Sequence, residues 1–127
     1  MGIFIINTTE AGLHFVLLAG NGQIIGTSQV YSSKDAALGG IEGVKKVAGI
    51  AAIEDTTVAG HGVAKNPKFV IASTTNGKIH WNLQAPNGQV ILSSQQYLSV
   101  KNALKGIASV QKNGPIGTLE EGIVIHK

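Results

Sequence analysis

The chain contains no cysteine and no arginine. The first absence excludes a disulfide framework and any thiolate metal site. The second removes the side chain best suited to bidentate contact with phosphates and guanine edges. Positive charge comes from ten lysines, set against seven acidic residues, for a net charge of +3 over 127 residues. Such a balance supports only weak, non-specific attraction to polyanions. Charged residues make up 13% of the chain, yet 43% is hydrophobic, which is a folding composition and not a disordered one. No apolar run is long enough to span a bilayer, and no segment has the basic-then-apolar layout of a signal peptide. A soluble, cytoplasmic protein is expected.

What the chain does contain is itself, twice. His14 to Val47 recurs as His80 to Asn113, 66 residues on (80 − 14), without a gap and with 17 of 34 positions identical. Fixed-period self-similarity decides architecture before any local signal does. One copy alone would bury too little surface to be stable, and two copies sharing a core remove that difficulty. The expected organisation is a first repeat over 1–58, a linker over 59–67 marked by two glycines and a proline, and a second repeat over 68–127.

Within each copy the period changes once. Ile3–Ile6 and Phe69–Ala72 read as first strands, Leu13–Ala19 and Ile79–Ala85 as second strands. Asn21-Gly22 and Asn87-Gly88 predict tight hairpins with positive φ at both residues, leading into third strands over Gln23–Ser28 and Gln89–Ser94. Then Ala37, Leu38, Ile41 and Val44, matched by Ala103, Leu104, Ile107 and Val110, take up helical spacing behind N-caps at Ser33 and Ser99. Gly49 and Gly114 predict left-handed helix exits. Gly40 and Gly106, inside the helices, predict close backbone packing. Ile53–Val58 and Leu119–Ile125 read as fourth strands. The fold class is α+β: a tandem repeat of β-β-β-α-β units forming one antiparallel sheet with two helices on one face.

The residues Leu17…Asn21-Gly22-Gln23…Ser28…Tyr31…Ser33…Gly40-Ile41…Val44…Lys46 carry a resemblance. They return as Leu83…Asn87-Gly88-Gln89…Ser94…Tyr97…Ser99…Gly106-Ile107…Val110…Lys112. This pattern resembles the YegP-like family of small bacterial and archaeal proteins, a domain of unknown function, over nearly the whole chain. The resemblance implies that the repeats share one sheet and swap their C-terminal strands. It brings no activity, substrate or cofactor. Family members usually place basic residues in the second strand, where this chain has Val16 and Leu18, or Asn82 and Gln84. Polyanion binding on that strand is therefore weakened.

Candidate sites are few. His14 and His80 are equivalent and could bring two imidazoles near one ligand, but a zinc site needs three or four ligands, and polar residues on the wetter sheet face are the simpler reading. Tyr31 and Tyr97 read as packed lids on the first helical turn, or as the lining of a cleft. Gln29 and Gln95 recur without a structural excuse, and Ser28 and Ser94 lack the base a nucleophile requires. No catalytic residue, metal site or cofactor is indicated. Lys34, Lys45, Lys46, Lys101, Lys105 and Lys112 read as solvated helix faces, making nucleic-acid binding a weak alternative. Val16 and Leu18 predict an apolar patch on the sheet face opposite the helices, a surface for self-association or a protein partner. The leading expectation is a non-enzymatic binding or stress-associated accessory protein acting through that open face. The alternative is a small-ligand binder or enzyme with a site at the pseudo-two-fold junction of the repeats, for which a concave pocket lined by His14, His80, Tyr31 or Tyr97 would speak.

Overall fold

In a computed structural model that describes residues 2–120, the strands β1 (Ile3–Thr9), β2 (Gly12–Leu18) and β3 (Ile24–Thr27) lead into helix α1 (Lys34–Val47) and strand β4 (Ala52–Asp55). After the linker come β5 (Lys68–Ser73), β6 (Ile79–Gln84), β7 (Val90–Ser93), α2 (Val100–Asn113) and β8 (Thr118–Glu120). The eight strands form one sheet in the order β4-β5-β6-β7-β3-β2-β1-β8. Residues 121–125 of the last expected strand lie outside the described residues.

The sheet is mixed, which corrects the expectation of a wholly antiparallel one. The six inner strands are antiparallel, but β4 runs parallel to β5 and β8 parallel to β1. The reason lies in the connections. Tight turns make antiparallel neighbours, whereas a strand returned to the sheet by a helix can lie parallel to its new partner.

Alternation along the strands directs Phe4, Phe15, Leu17, Phe69, Ile71, Trp81 and Leu83 to one face, all buried. Both helices lay their apolar stripes on it, Ile41, Val44 and Val47 from α1 and Ala103, Ile107 and Val110 from α2, in one continuous core. The two meanders, β1–β3 and β5–β7, meet at a single backbone pair, Thr27↔Ser93, itself 66 residues apart. Near this centre a Cβ on Gly26 would sit 2.6 Å from Leu92. Positions 26 and 92 correspond, so leucine occupies one and glycine leaves room for it opposite.

Local chemistry refines three expectations. The hairpins at Asn21-Gly22 and Asn87-Gly88 are three-residue loops, closed by Gly22 N–H to Ala19 O and Gly88 N–H to Ala85 O. Only the glycines take positive φ, 84° and 86°, as in a type I turn followed by a left-handed glycine. The helix exits are not left-handed: Gly49 does not take positive φ, and the capping residues Ala48 and Gly114 keep right-handed backbones at φ −57° and −64°. Gly114 instead permits close packing, since a Cβ there would lie 3.2 Å from that of Ala48. The N-caps form as expected, Ser33 and Ser99 accepting from the N–H of Ala36 and Asn102 at 3.1 Å.

Candidate functional site: a groove between the β2–β3 hairpin and α2

Two duplicated features that sequence alone left open are structural. Ser28 Oγ accepts from the Phe15 N–H at 2.8 Å and donates to the Gln29 carbonyl at 2.7 Å. Ser94 repeats this with Trp81 and Gln95. Each hydroxyl supplies the acceptor that a strand N–H needs where regular pairing ends. The tyrosines pack against the helical glycines, since a Cβ on Gly40 or Gly106 would meet the hydroxyl of Tyr31 or Tyr97 at 2.2 Å. Tyr31 stacks on Phe15 with ring centroids 6.2 Å apart. Among the described residues its buried hydroxyl has no hydrogen-bond partner within ordinary geometry, and neither has the Trp81 indole N–H, which lies beside Gly106 and the Tyr97 hydroxyl. Burial raises the Tyr97 pKa, and the neighbouring Trp81 N–H offsets part of this. The phenol therefore stays protonated at neutral pH.

The other expected residues do not converge. Val16, Thr27, Ser93 and Asn82 line up across four neighbouring strands. His14 lies two residues from this row on one side and His80 two residues from it on the other. At the usual strand spacing and rise, the histidines are about 20 Å apart. They cannot share a small ligand. Among the described residues, no group of three His, Asp or Glu side chains could hold a metal ion. The patch expected at Val16 and Leu18 is not offered either: Val16 has no accessible surface and Leu18 is half-buried. Gln29 is exposed, as is Gln95, but Gln95 borders a groove.

That groove opens because β3 and β7 share only the Thr27↔Ser93 pair and then diverge, the chain after Ser94 turning away to bridge Tyr97 to Ile79. One end, about 270 Å³, lies between Ile24–Thr27 and Ser94–Gln95. A middle section of about 350 Å³ brings Asn21 and Gln23 of the hairpin against Gln95, Tyr97, Asn102 and Lys105. The far section, about 480 Å³, runs between the hairpin tip and the α2 face bearing Lys105, Ser109 and Lys112. These sections share residues and form one trough, each of a size usual for small-molecule sites or slightly below it. Its floor carries the apolar Ile24 and Ile25, its walls amides, hydroxyls and two lysines, and among the described residues no acidic one lines it. Asn21 Oδ1 is already engaged by the Gln23 N–H at 3.0 Å, which fixes the amide and leaves its NH₂ group for other partners.

With this geometry in place, comparison with known proteins supplies a family. A family model described as a domain of unknown function (DUF1508) matches residues 11–55 and again 75–121. A UPF0339 protein of Pseudomonas aeruginosa is 40% identical over 112 residues, covering 88% of both chains. The UPF0339 protein YegP of Escherichia coli is 36% identical over 114 residues, covering 90% of both. The chain belongs to the YegP-like UPF0339 family. Solution structures of two relatives share the fold of this family member. YegP of E. coli superposes with a TM-score of 0.76 at 33% identity, covering 94% of this chain and 90% of the other. A UPF0339 protein of Shewanella oneidensis gives 0.79 at 30%, covering 99% and 98%. The names of these relatives assign no activity, and no helix among the described residues is long and apolar enough to cross a membrane.

Sequence reading gave Asn21 and Gln23 to a hairpin and its strand and Lys105 and Lys112 to solvated helix faces, and it did not single out Asn102 or Ser109. A signal was present. The framework residues are identical between copies, whereas the helix residues facing the groove differ, Ala36 against Asn102, Gly39 against Lys105 and Gly43 against Ser109. A second polar feature was also missed. Glu54 Oε1 accepts from the Ala64 N–H at 2.7 Å and from Lys68 Nζ at 3.0 Å, and His61 Nε2 lies 3.8 Å from the other oxygen. Glu54 is only 8% exposed, covered by the linker and not sunk in the core. The Ala64 N–H first, then Lys68, hold its pKa below the ordinary value. This clasp pins the linker to the sheet edge.

Proposed function

We propose that the protein binds a small polar ligand in the groove between the β2–β3 hairpin and α2, without performing chemistry on it. One observation carries this reading: a concave site at the meeting of the two halves, lined by Tyr97 and Gln95 from one and by Asn21, Gln23 and Ile24 from the other. It fits a cytoplasmic protein made of tandem repeats, 1–58 and 68–127, joined by a linker over 59–67. The placement of β4 beside β5 and β8 beside β1 supports an exchange of last strands between those repeats. Each half then completes the other, and a groove at the pseudo-two-fold junction becomes a property of the pair. Catalysis receives no support, because the described residues of the groove include no carboxylate or imidazole to act as a base. Association through the open sheet face loses support because Val16 and Ile5 are buried.

The test is an NMR screen of ¹⁵N-labelled protein against a mixed library of neutral, cationic and anionic metabolites. The expected result is saturable shifts confined to the amides of residues 19–27, 94–97 and 102–113. Shifts that map to the open face over β1 and β2 and leave the groove silent would reject the reading.

A further inference from the structure

We infer that the groove ligand carries an anionic head on a neutral, hydrogen-bonding body, and that the chain holds one such site, not two. This rests on the groove being a ligand site. The head is assigned by the far section of the groove. Lys105, Ser109 and Lys112 recur there at i, i+4 and i+7, so they share one helix face, and they look across to the Asn21 amide. Helix α2 contains three lysines and no acidic residue, while α1 offsets its three with Asp35 and Glu42. Among the described residues no carboxylate lines this section, and a lysine pair without one favours negative charge. The body is assigned by the middle section, where Gln23, Gln95, Asn102 and Tyr97 offer neutral donors and acceptors over Ile24 and Ile25. A phosphorylated or carboxylated polyol matches both sections.

The single site follows from comparing corresponding positions. Asn21, Gln23, Gln95, Tyr97, Gly106 and Lys112 all have identical counterparts, at 87, 89, 29, 31, 40 and 46. The frame is therefore present twice. On the helix facing the second frame, however, Asn102, Lys105, Ala108 and Ser109 become Ala36, Gly39, Glu42 and Gly43. One lysine and two polar groups are lost, and Glu42, four residues before the lysine that remains (Lys46), adds a charge of the wrong sign on the same helix face. This explains why α1 tolerates Gly39 and Gly43 where α2 carries Lys105 and Ser109.

The probes are glucose 6-phosphate, gluconate and uncharged glucose, titrated into the full chain at low ionic strength and followed by ¹⁵N shifts. Both anions should move the amides of Asn21–Gln23 and Lys105–Asn113 with one-to-one stoichiometry, and glucose should not. Their relative affinities distinguish a phosphate from a carboxylate head. Lys105→Gln and Lys112→Gln, both at exposed positions, should each weaken binding by about tenfold, as loss of a charge-assisted hydrogen bond does. A gain-of-site variant, Ala36→Asn/Gly39→Lys/Glu42→Ala/Gly43→Ser, should raise the stoichiometry to two. A Cβ at Gly39 meets nothing within 4 Å and one at Gly43 meets Ile91 at an ordinary 3.5 Å. The inference is overturned if neither anion moves these amides, if the lysine variants bind unchanged, or if the gain-of-site variant folds and still binds one equivalent. A neutral library compound that moves the same amides while both anions fail would overturn the ligand class and leave the groove standing as a site.

Discussion

Adjacent glycines in α1 should respond to the same substitution with opposite sign. Gly39 and Gly40 both lie in the helix interior, where replacing glycine by alanine stabilises an exposed position by about 1 kcal/mol through backbone entropy. At Gly39 nothing lies within 4 Å of the new methyl group, so the full gain is expected. At Gly40 the methyl group would stand 2.2 Å from the Tyr31 hydroxyl, 2.8 Å from its Cζ and 3.0 Å from Phe15 Cε2. The tyrosine ring must move by about 1 Å or more to restore ordinary contact distances, near 3.5–4.0 Å. It is not free to do so, being stacked on Phe15 and held by backbone bonds between Leu13 and Tyr31 on both sides. Overpacking of this kind costs about 1–3 kcal/mol, which cancels or exceeds the propensity gain. Urea unfolding followed by circular dichroism should show a higher midpoint for Gly39→Ala and an unchanged or lower one for Gly40→Ala, with equal m-values. The two melting temperatures should differ by several degrees, at about 3–5 °C per kcal/mol for a chain of this size. Adding Tyr31→Leu should return the alanine gain at position 40, giving a coupling above about 0.5 kcal/mol. If Gly40→Ala stabilises as much as Gly39→Ala, the account of the duplicated glycines is wrong.

Two further predictions concern polar groups. Ser28→Ala removes the acceptor for a buried backbone N–H and should destabilise by about 1–3 kcal/mol, with faster hydrogen exchange at the Phe15 amide; an unchanged urea midpoint would refute this. Glu54 has a folded-state pKa below its ordinary value, so its contribution is fully present above the unfolded pKa and is lost as pH falls through the folded one. The Ala64 amide resonance should therefore titrate in the acid range, below the ordinary carboxylate pKa, and Glu54→Gln should abolish that titration and speed proteolysis at Gly60–Gly62. A pH-independent Ala64 resonance in the wild-type chain would contradict the clasp.

Much of the local architecture was legible because it depends on neighbours in sequence. Serine caps, glycine in turns and the change from strand to helix spacing act over three or four residues, and they recur in register at Ser33/Ser99, Gly22/Gly88 and Ile41/Ile107. Errors arose where distant atoms decide. Gly49 and Gly114 look like left-handed exits by position, yet neither takes positive φ, and Gly114 instead lies where a Cβ would crowd Ala48. The direction of β4 and β8 depends on which edge each helix delivers its strand to, and no local signal encodes that. Val16 and Leu18 read as a surface patch because alternation tells which side of a strand a residue faces, but not what else reaches that side.

The candidate site divides in the same way. Tyr31, Tyr97 and Gln95 could be named from the sequence because they recur without an evident local role. Asn102 and Ser109 could not, and Lys105 only as one solvated lysine among several, because they are what the second copy has and the first lacks. By itself, then, the sequence determined the element order β-β-β-α-β met twice along the chain, where its hairpins turn, the helix N-caps and the apolar face, since periodicity and residue conformational preference act locally. Tertiary structure alone decided the parallel outer strands, the burial of Val16, the 20 Å separation of the histidines implied by strand register, and the trough where β3 and β7 part. These are relations between residues far apart in the chain, set by how the two halves pack.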